Sequence, residues 1–193
     1  MIKRISTAVL AFILSFSMLL SLPFNAQAKS YAGYDAVIDD FYGYNGAQLN
    51  GGSTCTYAGY RYFKIPTRYG KQKALFVELV GSICSETRIF IKQNKTGKAV
   101  KLQTLKGTPM KYSKSKKAFV TQEHVTTGVD VYRLYKYNKS KKKFVKAAES
   151  NCQYGSRFPY EITTHQALKK LEKKGKVKMK NLRKVRGEGN IIF

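Results

Sequence analysis

The feature that most limits the fold of this chain is a run of short β-type segments that occurs twice, 44 positions apart. In the first copy, Ala74-Leu-Phe-Val-Glu-Leu-Val-Gly81 reads as a buried strand and Thr87-Arg-Ile-Phe-Ile-Lys-Gln93 as a second. Asn94-Lys-Thr-Gly97 reads as a hairpin turn, and Lys98-Ala-Val-Lys-Leu102 as the strand returning from it. The second copy repeats the order with Ala118–Val125, Val129–Tyr137, the turn Asn138-Lys-Ser-Lys141 and the return Lys142–Lys146. Aligned identities are few and mostly lysine (Lys73 with Lys117, Lys92 with Lys136, Asn94 with Asn138), so the order of elements carries the repeat. The units span about residues 73–102 and 117–146. A period of this size suits a propeller blade, but two copies cannot close a ring. The expected fold is therefore mainly β within the α+β class: an antiparallel meander sheet of two or three strand-hairpin repeats.

The flanks add shorter elements. Tyr34, Val37, Ile38 and Phe41 have the spacing of a short amphipathic helix beginning near Asp35, with Gly43 and Gly46 to end it. Asn50-Gly-Gly-Ser53 is a turn cluster, Tyr57–Ile65 an aromatic strand, and Pro66–Gly70 its break. Gly107-Thr-Pro109 reads as a loop between the two units. Thr163 and Gln166 form the pattern of a capping box, which opens a helix over about 164–174 that Gly175 should stop. Val177–Leu182 reads as a last strand and Arg183–Gly189 as loose chain.

Residues 1–28 have the order of a cleavable secretory signal: Lys3 and Arg4, an apolar stretch from Ala8 to Leu22, Pro23, then Ala26-Gln-Ala28. The apolar stretch of 15 residues is short of the roughly 20 that span a bilayer. No later segment is apolar enough to do so, and stable membrane insertion after cleavage is not expected. Residues 29–193 are then expected as a single basic, β-rich domain, secreted and either released or held at the cell wall by non-covalent contact.

That domain keeps 34 bases against 11 acids. So one-sided an excess costs the fold through self-repulsion and points to a polyanionic neighbour. Outside a cell such a neighbour is an anionic cell-wall polymer or another extracellular polyanion. The charge is concentrated late. Lys92–Lys117 holds nine lysines and no acid, Arg133–Lys146 seven bases and no acid, and Gln166–Phe193 ten bases and two acids. The residues expected to contact the anion are Lys136, Lys139, Lys141, Lys142 and Lys143 on the second hairpin and Lys169, Lys170, Lys173 and Lys174 on the helix.

Catalytic signatures are weak. Cys55, Cys84 and Cys152 have no metal-ligand spacing; in an oxidising compartment two of the three can form a disulfide, and all three pairings stay open. Neither a cofactor nor a metal is expected. A ribonuclease-like trio can be drawn from Glu78 or Glu123, His124, and Arg88 or Arg133. Yet Glu123 and His124 are adjacent in a predicted strand and should face opposite ways. A Cys–His pair from Cys84 or Cys152 with His124 competes with a plain core cysteine, and His165 sits in the first turn of a helix as a surface residue. Eight of the 14 tyrosines lie between Tyr31 and Tyr69, which suits half-buried strand positions better than sugar stacking.

Tyr62-Phe-Lys-Ile65, the strand Gly70-Lys-x-x-Ala-Leu-Phe-Val77, the hairpin Tyr132-Arg-Leu-Tyr-Lys-Tyr-Asn138 and the helix start Ile162-Thr-x-x-x-x-Leu168-Lys-Lys carry a resemblance. Over about residues 35–175 the chain resembles a loose group of uncharacterised secreted β-hairpin-repeat proteins of Gram-positive gut bacteria. In that group the loop before the buried strand often reads as an acidic calcium-binding turn. Here it is Pro66-Thr-Arg-Tyr-Gly-Lys-Gln-Lys73, with no carboxylate for a hard cation. The resemblance implies secretion and a hairpin architecture, and no defined activity. Together these features predict an exported, non-enzymatic binding or structural protein of the cell envelope. Two other classes are compatible with the sequence: a secreted phosphodiesterase or ribonuclease-like enzyme, and a cationic antibacterial or toxin-like domain.

Overall fold

The computed structural model describes residues 29–42, 45–49, 53–82, 85–155, 162–185 and 191–192. The signal segment 1–28, Cys84, and the predicted turn residues Gly43 and Asn50–Gly52 lie outside them. In chain order the described elements are β1 (Ser30–Tyr31), α1 (Tyr34–Phe41), β2 (Asn45–Leu49), β3 (Ser53–Thr67), β4 (Gly70–Val80), β5 (Ser85–Lys92) and β6 (Ala99–Lys106). There follow β7 (Thr108–Ser113), β8 (Ala118–Thr126), β9 (Val129–Asn138), β10 (Lys143–Gln153), α2 (Thr164–Gly175), a single 3-10 turn at Met179–Asn181, β11 (Arg183–Lys184) and β12 (Ile191–Ile192).

The fold is mainly antiparallel β, and the two repeat units enter two separate sheets. The first has the order β1-β6-β5-β4-β3-β12, with β2 also on β3; the second has the order β10-β9-β8-β7-β11. Each unit gains a strand in front of it, so β3–β6 and β7–β10 are two successive four-strand meanders. Alternation along the strands gives each sheet two buried faces. On β4, Ala74 and Phe76 point to one side and Leu75, Val77 and Leu79 to the other.

The inner faces meet in an aromatic layer. Phe63 and Phe76 lie 4.5 Å apart between ring centroids, Phe63 and Phe119 4.9 Å, Tyr112 and Phe119 4.5 Å, and Phe119 and Phe144 5.1 Å. Phe119 touches four rings and is fully buried; its truncation to Ala should cost about 3–5 kcal/mol. The outer faces carry the helices. Tyr34, Val37 and Phe41 of α1 pack on Leu75, Val77 and Phe90 of the first sheet. Ala167 and Leu171 of α2 pack on Val120, Tyr132 and Leu134 of the second. The result is four layers: helix, sheet, sheet, helix.

The passage from one sheet to the other is a single residue. Gly107 separates β6 from β7 at φ +81°, and a Cβ there would come within 2.7 Å of the Gln122 carbonyl oxygen. Its N–H donates to Ser85 O (2.7 Å) and its carbonyl accepts from Thr87 Oγ1 (2.8 Å). Side chains stitch the sheets elsewhere. The Gln103 amide bonds both backbone groups of Phe144, accepting from its N–H (2.7 Å) and donating to its carbonyl (3.2 Å). Tyr112, whose hydroxyl burial pushes up to about 12, donates to Lys64 O (3.0 Å).

Several element limits differ from expectation. Pro66 does not end β3, which reaches Thr67 before a tight turn into Gly70. The loop expected at Gly107–Pro109 shrinks to Gly107, because Pro109 needs no donor where a bulge interrupts β7. The return strand β6 runs on to Lys106, beyond Leu102. Gly46 lies in β2, past the end of α1. The capping box forms as expected: Gln166 N donates to Thr163 Oγ1 (3.3 Å) and Thr163 N to Gln166 Oε1 (2.8 Å). Gly175 is the last residue of α2, and Lys176 takes the left-handed cap at φ 50°. Glycine at 175 permits close approach, since a Cβ would meet Leu134 Cδ2 at 2.2 Å and force that buried side chain to shift. Val177–Leu182 is not a strand: Val177 and Leu182 anchor a 3-10 turn under α2. Arg183–Lys184, expected to be loose, pairs with Tyr112 and Lys111 of β7.

Candidate functional site

In a meander every second turn falls at the same end of its sheet. Here the two sheets are oriented so that those ends coincide. The β3–β4 and β5–β6 turns are joined by Asn94 Nδ2 donating to Tyr69 O (3.4 Å). The β7–β8 and β9–β10 turns are joined by Tyr137 N donating to Lys117 O (3.0 Å). Across the seam, Arg68 of the first sheet lines the same depression as Lys141, Lys142 and Lys143 of the second.

These four turns, residues 67–71, 93–98, 113–117 and 138–143, hold eleven cations and no acid. They are Arg68, Lys71, Lys95, Lys98, Lys114, Lys116, Lys117, Lys139, Lys141, Lys142 and Lys143, and all eleven are exposed. Among the described residues none of them takes part in an ion pair.

Local chemistry explains the turns. Ser113 Oγ accepts from Lys116 N (3.2 Å), and Asn138 Oδ1 accepts from Lys141 N (2.8 Å), so a short side chain closes each loop three residues on. The next residue of each, Lys117 (φ 48°) and Lys142 (φ 52°), is left-handed. Glycine suits that conformation best, as Gly97 (φ 65°) does in the first sheet. The chain keeps a lysine at both positions of the second sheet.

Two depressions at this end share Arg68, Val100 and Lys101 and so form one groove over the seam. Lys29 and Lys98 line its first part, and Lys141, Lys142 and Lys143 its second. Its floor includes Ile91, Val100 and Leu102. Asp40 reaches its rim, held by Lys29 Nζ (2.7 Å) and the Tyr31 hydroxyl (2.8 Å), which keep its carboxyl below the ordinary value. A second depression on the same end is lined by Ser113, Lys114, Ser115, Asn181 and Arg183.

The lysines expected from the sequence therefore divide. Lys139, Lys141, Lys142 and Lys143 stand in the cationic end, and Lys136 precedes it half-buried on β9. Lys169, Lys170, Lys173 and Lys174 lie on α2, on the outer face of the second sheet. Lys170 and Lys174 line a separate depression with Glu149, and Lys174 Nζ donates to Glu149 O (3.4 Å). Sequence reasoning missed Arg68, Lys98 and Lys101 as partners of the second hairpin. The lysine-rich stretch 92–117 was visible, but only the topology brings its turns beside 138–143.

The catalytic combinations come apart. Glu123 is bound by Arg133 Nη1 in the layer between the sheets, and Arg133 Nε also holds Glu149 Oε2 (2.8 Å). His124 faces the other way, with Nδ1 2.9 Å from Asp130 Oδ1. Cys152 opposes Asp130 on β10 while His124 opposes it on β8, so the carboxylate stands between thiol and imidazole. Cys152 is instead buried beside the Tyr132 hydroxyl (3.8 Å), which burial pushes up to about 12. Cys55 and Cys152 are buried on the outer faces of different sheets and do not pair with each other; Cys84 lies outside the described residues. His165 is exposed. Among the described residues no three His, Cys, Asp or Glu side chains gather as metal ligands, and no helix is long and apolar enough to cross a membrane. No protein-family model, curated protein or solved structure matches this chain.

Proposed function

We propose that this protein is an exported, non-enzymatic component of the bacterial cell envelope that docks on an anionic polymer through its four hairpin turns. The observation that carries this reading is the gathering, in four acid-free turns at one end of the sandwich, of eleven exposed cations that make no ion pair among the described residues. The signal-like residues 1–28 and the resemblance to secreted hairpin proteins support export. The drive would be release of counterions from the polymer, so many weak contacts add up and fade together with salt. By the rule for nucleic acids, about five contacts lose roughly 10²–10³-fold in affinity between about 0.05 and 0.2 M salt, an upper bound for a polymer of lower charge density.

The test is co-sedimentation of residues 29–193 with purified Gram-positive walls, with and without their teichoic acids, over a sodium chloride series. Pelleting that needs the polymer and falls steeply with salt is the expected result. Absence of pelleting, or pelleting indifferent to salt, overturns the proposal.

A further inference from the structure

Resting on the polyanion reading above, we infer that the groove over the sheet seam seats a base-free phosphodiester chain, a polyol phosphate, in preference to a nucleic acid or a polycarboxylate. Its cations are Lys98, Lys101, Lys141, Lys142, Lys143 and Arg68, with Lys29 beside them already paired with Asp40 at 2.7 Å. Lysine ammoniums bind phosphate oxygens as point charges and need no planar partner, whereas a bidentate grip on a planar carboxylate needs a guanidinium fork, and only one guanidinium lines this groove. The one guanidinium, Arg68, stacks on Tyr69 with its carbon 4.8 Å from the ring centroid, so the groove is mainly an array of ammonium point charges.

A single-stranded nucleic acid would also need aromatic faces on which to stack its bases. Among the described residues none that lines either part of the groove is aromatic. The floor of Ile91, Val100 and Leu102 offers aliphatic contact to a polyol's methylene groups. Ser30, Gln93 and Thr96 along the first part offer partners for its hydroxyls. Lys142 adds a second argument. It lines the groove in the left-handed conformation that a glycine would hold more easily, so its charge is kept there against the preference of the backbone.

The experiment is an anisotropy titration of residues 29–193 with three labelled polymers matched in charge: poly(glycerol phosphate), polygalacturonate and a mixed-sequence single-stranded oligodeoxynucleotide. It is run at about 0.1 M sodium chloride, where exposed charges act over about 10 Å. Wild type is compared with Arg68→Glu/Lys101→Glu in the groove and with Lys178→Glu/Lys180→Glu, which changes charge equally on exposed residues outside it. A milder pair, Lys141→Gln/Lys143→Gln, removes charge from an exposed turn and guards against misfolding of the reversal variant.

Poly(glycerol phosphate) is expected to bind about tenfold or more tightly than the other two, and the groove reversal to weaken it by at least as much. The control should lose no more than about twofold, and the milder pair should fall between. Equal binding of all three polymers, lost in the groove variants, overturns the preference for polyol phosphate while leaving the polyanion reading intact. Tight binding of poly(glycerol phosphate) that the control weakens as much as the groove reversal overturns the seat. Absence of binding to any polymer overturns both readings.

Discussion

The two ends of the sandwich use charge in opposite ways. At the end holding the β4–β5 turn, the Gly107 crossover and the β8–β9 turn, each strand carboxylate has a basic partner. Glu78 lies 3.4 Å from Arg61, Glu86 2.6 Å from Arg88 and Asp130 2.9 Å from His124. Arg133 is shared between Glu123 and Glu149, and Lys146 adds a third contact to Glu149 at 3.0 Å. Several of these groups are buried, where an unanswered charge would be costly. At the hairpin-turn end the eleven cations have no such partners among the described residues, and their mutual repulsion works against folding. Charge at the first end is accounted for by the fold. Charge at the second is not, and this asymmetry, more than the net charge, argues for an external anion.

Three substitutions would break or sharpen the contrast. The largest effect belongs to the answered end. Arg133→Met leaves two carboxylates facing a nearly buried site and should lower stability by about 3–5 kcal/mol in chemical denaturation, with polymer affinity of the folded fraction unchanged. A stable variant that has lost polymer binding would erase the distinction between the ends. Next comes Lys142→Gly at the unanswered end. Relief of the left-handed backbone should raise stability by about 1 kcal/mol. The same change should remove about one contact from the salt dependence of polymer binding. Opposite signs in melting and titration are expected; a fall in both would mean the lysine serves the fold. The smallest effect concerns pH. The Lys146 ammonium, then the Arg133 guanidinium, hold the Glu149 carboxyl below its ordinary 4.5. A depressed folded value means the contribution is present above that ordinary value and lost as pH falls through the folded one. The half-exposed position of Glu149 keeps it small. Melting of wild type should therefore exceed that of Glu149→Gln at about pH 6 and converge with it toward about pH 3. A constant gap across that range would remove the carboxylate from the account.

Much of the fold could be read in the residues. The hairpin turns at Asn94 and Asn138, the capping box at Thr163 and the helix through Tyr34, Val37 and Phe41 are local signals, and each formed where its chemistry placed it. What needed the third dimension is phase. The 44-residue offset relates β5 to β9, yet in the first strand of each unit the register moves to 45, so Glu78 corresponds to Glu123 and not to Gln122. Between Glu78 and its cross-strand partner Thr87 lie eight residues; between Glu123 and Val131 lie seven. The shorter second loop absorbs the difference. A similar limit hid the groove. Arg68, Lys98 and Lys101 are unremarkable in their own segments, and they meet Lys141–Lys143 only because two meanders are stacked with their turns aligned.

The one-residue crossover at Gly107 also shapes how the chain can reach this state. Since the chain changes sheet only once between the meanders, seven of the ten strand pairings among the described residues join sequence neighbours, and the pairings within each meander do not depend on the other. Such local topology favours fast folding, because little loop entropy is lost before contacts form. The exceptions are three short pairings: Ser30–Tyr31 with Val100–Ala99 and Ile191–Ile192 with Tyr62–Phe63 in the first sheet, and Arg183–Lys184 with Tyr112–Lys111 in the second. The two in the first sheet bring together its most distant stretches, and all three lie at sheet edges, so they are expected to close after the meanders have formed.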